Sequence, residues 1–178
     1  MKFCEVDRTW TLFLDRDGVI NERKFGGYIT STEEFTFQKG ALEALSFFNK
    51  RFGHIIIVTN QQCVGKGIIT LETLDEIHNQ MISQIELAGG RVDRVYSANE
   101  PKGEAPFHRK PYPAMAYLAK EELTAIDFEK SIMVGDTDSD IEFGKNLGMK
   151  TVLVLSQEAT KSTPDLRIEF LSDLCAYF

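Results

Sequence analysis

Short apolar, β-branched runs separated by longer stretches with helical apolar spacing constrain the fold of this chain more than any other feature. The runs at 11–14, 55–59, 92–97, 131–135 and 151–155 predict strands. Ala41, Leu42, Leu45, Phe48 and Phe52 mark a first helix between them. Leu71, Leu74, Ile77, Met81, Ile82 and Ile85 mark a second, opened by Thr70 as N-cap and closed by Gly89 and Gly90. A third helix is expected near 114–123 and a fourth near 139–147, ending at Gly148. A short strand near 166–168 and a final helix complete the pattern. Strict alternation of strand and helix implies right-handed crossovers and a parallel sheet covered on both faces, a three-layer α/β/α sandwich. No repeat, low-complexity tract or linker interrupts the 178 residues, so one domain over 1–178 is expected.

In such sheets, ligands bind beyond the carboxyl ends of the strands, and the chemistry-bearing residues fall there. The first run ends in Asp15-Arg16-Asp17-Gly18. Carboxylates at i and i+2 lean toward one side of an extended chain, and their repulsion raises the pKa of at least one unless a cation is bound. The second run ends in Thr59-Asn60-Gln61, whose hydroxyl and main-chain N–H groups suit phosphate oxygens as well as a turn. Arg109-Lys110-Pro111 precedes the third helix, with Pro111 placed to begin it and Lys110 to project a fixed charge inward. The fourth run ends in Gly135-Asp136-Thr137-Asp138-Ser139-Asp140, acids that suit a hard cation such as Mg²⁺. Acidic enrichment at a helix N-terminus accounts equally well for Asp138.

Composition excludes more than it identifies. A net charge of -7 and the lack of a basic aromatic groove argue against nucleic acid as a partner. No apolar stretch approaches the roughly 18 residues of a membrane span, and the first residues lack a secretory h-region, so a cytoplasmic location is expected. Cys4, Cys63 and Cys175 are odd in number and far apart, which fits reduced thiols. Phe3, Trp10 and Phe178 fit a core or an interface equally well, and oligomeric state is not legible.

Taken in order, the four segments resemble the haloacid dehalogenase (HAD) superfamily of phosphohydrolases. Leu14-Asp15-Arg16-Asp17-Gly18-Val19-Ile20-Asn21, Val58-Thr59-Asn60-Gln61, Arg109-Lys110-Pro111 and Val134-Gly135-Asp136 are similar to its subfamily IIIA, which holds heptose bisphosphate phosphatases and histidinol-phosphatases. The resemblance implies a HAD-like Rossmannoid fold and a Mg²⁺-dependent phosphomonoesterase acting on a small phosphorylated metabolite. It gives Asp15 the role of nucleophile and Asp17 that of general acid and base, protonated at first. Mg²⁺ would be held by Asp15, the Asp17 main-chain carbonyl and Asp136, with Asp140 direct or one step removed. Thr59, Asn60, Arg109 and Lys110 would bind the substrate. Heptose 1,7-bisphosphate is the first substrate implied and histidinol phosphate the second. A binding module on a retired phosphatase scaffold is the contrasting reading, against which the full set of site residues stands.

Between Asp15 and Thr59 there is room for a loop and one helix but not for a large cap domain. An open site is therefore expected, with Arg23, Lys24, Tyr28 and Lys66 as candidate substrate contacts. Members of the resembled branch often carry a zinc loop before Arg-Lys-Pro. Here residues 97–108 contain no cysteine and only His108, so no structural Zn²⁺ is expected.

Overall fold

Ile55, Ile56, Ile57 and Val58 are consecutive and fully buried, which leaves their strand no solvent face. A strand of that kind is stable only inside a sheet covered on both sides. The computed structural model, which describes Phe3 and residues 5–178, places it there. Strands β1 (Thr11–Leu14), β2 (His54–Asn60), β3 (Arg94–Ala98), β4 (Ser131–Gly135), β5 (Lys150–Val154) and β6 (Leu166–Ile168) form one sheet. Their order is β3-β2-β1-β4-β5-β6, and every neighbouring pair is parallel.

Helices α1 (Ala41–Asn49), α2 (Gln62–Gly65), α3 (Leu71–Leu87), α4 (Ala114–Glu122) and α5 (Asp138–Asn146) lie between the strands in sequence. Alternate side chains of each strand enter different cores. Leu12, Leu14, Ile55, Ile57, Ile132 and Val134 pack with Leu45 and Phe48 of α1 and with Ile77 and Met81 of α3. Phe13, Ile56, Val58 and Met133 pack with Met115, Ala116 and Ala119 of α4 and with Phe143 of α5. The expected three layers are therefore present. No helix among the described residues is long and apolar enough to cross a membrane.

The chain runs from β1 outward to β2 and β3, then returns to β4 on the opposite side of β1. The carboxyl end of β1 is thus the switch point where a crevice opens.

Several expectations need correction. Strand β3 starts two residues late, because Asp93 turns its carboxylate to the Ile55 N–H and to Arg91. The four-residue α2 was not expected, being too short to show a period. Helix α4 begins at Ala114 with Pro113 as its N-cap, so Pro111 does not start it. The expected final helix is a 3₁₀ helix over Leu171–Tyr177, with Asp173 accepting from the N–H groups of Glu169 and Phe170. Phe3 and Trp10 belong to the core, and Phe178 packs its ring 5.7 Å from Phe3 and 5.6 Å from Phe52. Cys63 is buried and Cys175 half-buried, both as free thiols, while Cys4 lies outside the described residues, as do Met1 and Lys2.

Candidate active site

Asp15 continues the β1 ladder by donating its N–H to Val134 O at 2.9 Å. The chain then folds back at Gly18, where φ is +89° and a Cβ would collide with the Asp136 carboxylate. Only glycine meets both conditions. That turn brings the ends of β1 and β4 together.

Lys110 arrives from a different direction. Its N–H donates to Asn60 Oδ1 at 2.9 Å, and Asn60 Nδ2 donates to Lys110 O at 3.4 Å. Asn60 therefore braces the segment, which aims the ammonium inward although no helix carries it. Lys110 is 2 % exposed, and its Nζ reaches Asp15 Oδ1 at 2.8 Å, Val58 O at 2.6 Å and Asp140 Oδ1 at 2.6 Å. Burial alone would lower its pKa, but Asp140 and Asp15 outweigh that and raise it.

Asp140 sits in the first turn of α5. Its Oδ2 accepts from the Thr137 N–H at 3.0 Å and the Thr137 hydroxyl at 2.6 Å, closing a capping box. One oxygen thus fixes the helix start while the other faces Lys110.

Burial, with Asp140 and Asp17 nearby, pushes Asp15 up to about 6 against the pull of Lys110. Burial, then Asp15 and Asp140, pushes Asp136 up to about 7. Ligand oxygens of Asp15, Asp136 and Asp140 lie within 4.8 Å of one another, and Asp136 Oδ1 is buried without a hydrogen-bond partner. Three buried carboxylates at this spacing, one with an orphaned oxygen, fit a hard divalent cation. The counter-charge present at Asp136 is Arg23, whose Nη1 lies 2.8 Å from Oδ2 and whose Nη2 lies 2.9 Å from Glu158.

Asp17 stands in a different environment. Nη2 of Arg16 donates to both its oxygens at 3.0 and 2.9 Å, Asn21 donates to Oδ1 at 2.9 Å, and Gln61 donates to Oδ2 at 2.8 Å. Burial would raise its pKa, but Arg16 and these hydrogen bonds prevail and lower it. In the absence of substrate, these donors favour the ionised form of Asp17. The two acids of the D-x-D pair have been pushed apart, one by burial and the other by donors.

Thr59 is buried and accepts from Gln61 Nε2 at 2.8 Å, leaving its own hydroxyl proton free to donate. Around the mouth of the cleft lie Arg23, Lys24, Tyr28 and Arg109. Lys24 pairs with Glu34 at 2.6 Å, while Lys66 turns to the Tyr28 hydroxyl at 2.9 Å. The Arg109 N–H donates to Glu100 at 2.7 Å, but Nη1 of its guanidinium is buried without a partner. His108 is exposed on the preceding turn.

Sequence reasoning brought Asp15, Asp17, Thr59, Asn60, Lys110, Asp136 and Asp140 to one rim, and the structure places them there. It missed Arg16, Asn21, Gln61 and His78, which hold Asp17 directly or through one another. Signals existed for two of them. An arginine between two acids at the end of a fully apolar strand has to be buried and paired, and His78 falls on the apolar stripe of α3.

A HAD-hydrolase-like family model matches residues 107–173. A Helicobacter pylori (strain J99) protein named D-glycero-beta-D-manno-heptose-1,7-bisphosphate 7-phosphatase is 35% identical over 153 residues, covering 85% of this chain and 86% of its own. The Campylobacter jejuni D-glycero-alpha-D-manno-heptose-1,7-bisphosphate 7-phosphatase is 29% identical over 171 residues, covering 96% of each chain. A crystal structure of D,D-heptose 1.7-bisphosphate phosphatase from B. bronchiseptica, complexed with magnesium and phosphate, shares the fold with a TM-score of 0.83 at 24% identity, over 94% of this chain and 96% of that one. With sequence kinship over most of its length, the chain belongs to the HAD-like family of phosphatases.

Proposed function

We propose that this protein is a Mg²⁺-dependent phosphomonoesterase that removes the 7-phosphate of D-glycero-D-manno-heptose 1,7-bisphosphate. The observation that carries the reading is Asp15, a buried carboxylate held 2.8 Å from a buried ammonium at the switch point of the sheet and facing two further carboxylates. A carboxylate so placed is a nucleophile whose charge can be neutralised on two sides. The relatives' names supply the sugar, and the cleft supplies a reason to accept it. Arg23, Lys24 and Arg109 ring the mouth of an otherwise acidic chain, which suits a substrate with a second phosphate. Histidinol phosphate, which carries an amine in place of that phosphate, suits the same mouth poorly.

Asp15 attacks phosphorus while the bond from phosphorus to the sugar oxygen breaks, giving an aspartyl-phosphate. Asp17 gives a proton to the departing sugar oxygen. That proton is taken up as substrate binds, because the incoming phosphoryl charge raises the proton affinity of a neighbouring carboxylate. Asp17 then takes a proton from water, which attacks phosphorus, releases phosphate and returns Asp15 to its starting form. Lys110 stays against Asp15 throughout, and the Thr59 hydroxyl donates to a phosphoryl oxygen. Asp15, the Asp17 main-chain carbonyl and Asp136 would hold Mg²⁺, with Asp140 beside them. When bound, the ion neutralises the acidic cluster and polarises a phosphoryl oxygen.

Phosphate release is measured for both anomers of the heptose bisphosphate, because the H. pylori and C. jejuni relatives are named for different ones. Histidinol phosphate and p-nitrophenyl phosphate are run beside them, with and without Mg²⁺, on the wild type and on Asp15→Asn. Mg²⁺-dependent turnover of a heptose bisphosphate far above histidinol phosphate, absent in Asp15→Asn, is expected. Unchanged turnover in a folded Asp15→Asn, or a preference for histidinol phosphate, refutes the proposal.

A further inference from the structure

His78 interrupts the apolar stripe of α3, buried between Leu74, Ile77, Met81 and Ile85. Its Nε2 lies 3.2 Å from Nη1 of Arg16, a residue 62 positions away in sequence and only 1% exposed. A guanidinium only donates, so Nε2 is the acceptor and the imidazole is neutral, with its proton on Nδ1. Burial, and then Arg16, push His78 down to about 3, which keeps it in that form.

The other end of the guanidinium grips Asp17. Nη2 of Arg16 alone bridges both carboxylate oxygens, whereas Asn21 and Gln61 each hold one. Nε of Arg16 is buried without a partner. Among the described residues, the plane of the guanidinium is therefore fixed by hydrogen bonds at two places, Asp17 and His78. Without the imidazole it is free to turn about its contact with Asp17, and the carboxylate loses a rigid support. Removing a residue that orients a group doing chemistry typically costs about 10–100-fold in activity.

We propose that His78 is a positioning residue for the acid–base step, acting through Arg16 to set where the Asp17 carboxylate stands beside the phosphoryl group. This rests on the reading of Asp17 as the proton donor and acceptor of a phosphatase. His78 touches no reacting atom. It sits on α3, a helix that otherwise contributes nothing to the rim.

The test compares His78→Leu, His78→Asn and His78→Gln, with wild type, Asp15→Asn and Asp17→Asn as references. Glutamine places an oxygen where Nε2 stands, while asparagine is too short and leucine accepts nothing. For an alkyl phosphate, kcat of the leucine and asparagine variants falls about 10–100-fold, in the range typical for residues that orient a catalytic group. KM stays near the wild-type value. For p-nitrophenyl phosphate the fall is much smaller, because that leaving group departs with little help from an acid. The glutamine variant recovers most of the lost kcat. Equal losses on both substrates, equal behaviour of glutamine and asparagine, a loss confined to thermal stability, or no loss at all overturns the inference. Activity in the wild type that disappears in Asp15→Asn keeps the phosphatase reading standing whichever way the His78 variants fall. A wild type inactive on every phosphomonoester sinks both.

Discussion

Removing the Lys110 ammonium should damage stability and turnover together, by amounts that follow from its surroundings. In Lys110→Met the stem is preserved in length and apolar character, while the contacts to Asp15 at 2.8 Å, Asp140 at 2.6 Å and Val58 O at 2.6 Å are lost. The side chains of Lys110 and Asp140 are each 1% exposed, so water cannot replace the missing charge. Deleting one member of a buried ion pair and stranding the other costs about 3–5 kcal/mol. For a chain of this size each kcal/mol moves the melting temperature by about 2–4 °C, so a fall of about 6–20 °C is expected. Two controls separate the electrostatic cause from poor packing. Lys110→Met combined with Asp140→Asn should be markedly less destabilised than the sum of the single changes, because Asp140 has already lost its partner. Mg²⁺ should restore part of the loss by neutralising Asp15. Turnover should fall at least about 100-fold, the usual effect of losing one preorganised charge at the reacting centre. Thermal melts and phosphate release on purified variants measure both. A variant that melts within about 1 °C of wild type without Mg²⁺ contradicts the assignment of Lys110 as the buried counter-ion, given the conversion above.

Two further outcomes follow from the same electrostatics. Burial first, then neighbouring carboxylates, hold Asp15 at about 6 and Asp136 at about 7, above their unfolded values. Their contribution is therefore fully present below about pH 3.8 and is lost as pH rises through 6 to 7. A bound cation opposes that loss, so the stabilisation given by Mg²⁺ in thermal melts should grow from pH 5 to pH 7.5, and a shift that is flat or shrinks with pH contradicts the carboxylate cluster as the binding site. His78 has the opposite sign: its folded pKa of about 3 lies below the unfolded value, so stability is intact above pH 6.5 and is lost as pH falls. Between pH 7.5 and pH 5, wild type should lose about 2 kcal/mol that His78→Gln does not, measured by urea unfolding, and parallel losses in both proteins argue against a buried neutral imidazole.

The elements legible in the sequence were those whose burial leaves a periodic trace. The runs of β1, β2 and β4 are apolar on both faces, and α3 carries both a period and a working cap, Thr70 accepting from the Thr73 N–H at 3.2 Å. The four-residue α2 has no period to read, and the 3₁₀ turns at the tail depend on Asp173 bonding to nearby main chain. Two prolines two residues apart, Pro111 and Pro113, precede α4, and the spacing does not say which of them leads into the helix. The site divides in the same way. Its motif residues announce themselves because Asp15, Thr59 and Asp136 fall at strand ends. Many of the contacts that hold them in place are long-range, such as Arg16 with His78, Arg23 with Asp136 and Lys110 with Asp140, and no local pattern encodes those. The sequence shows two acids flanking an arginine; that this arginine, with Asn21 and Gln61, holds Asp17 and not Asp15 is decided by the fold.

The measurement that tests the account most directly is a rapid-quench turnover with phosphorus-labelled substrate, stopped in acid, followed by peptide mapping of the protein. The account predicts one transient phosphoryl group on the peptide containing Asp15, formed and lost at rates that match turnover, and absent in Asp15→Asn. Full turnover with no covalent phosphoryl group, or with the label on a different residue, contradicts it.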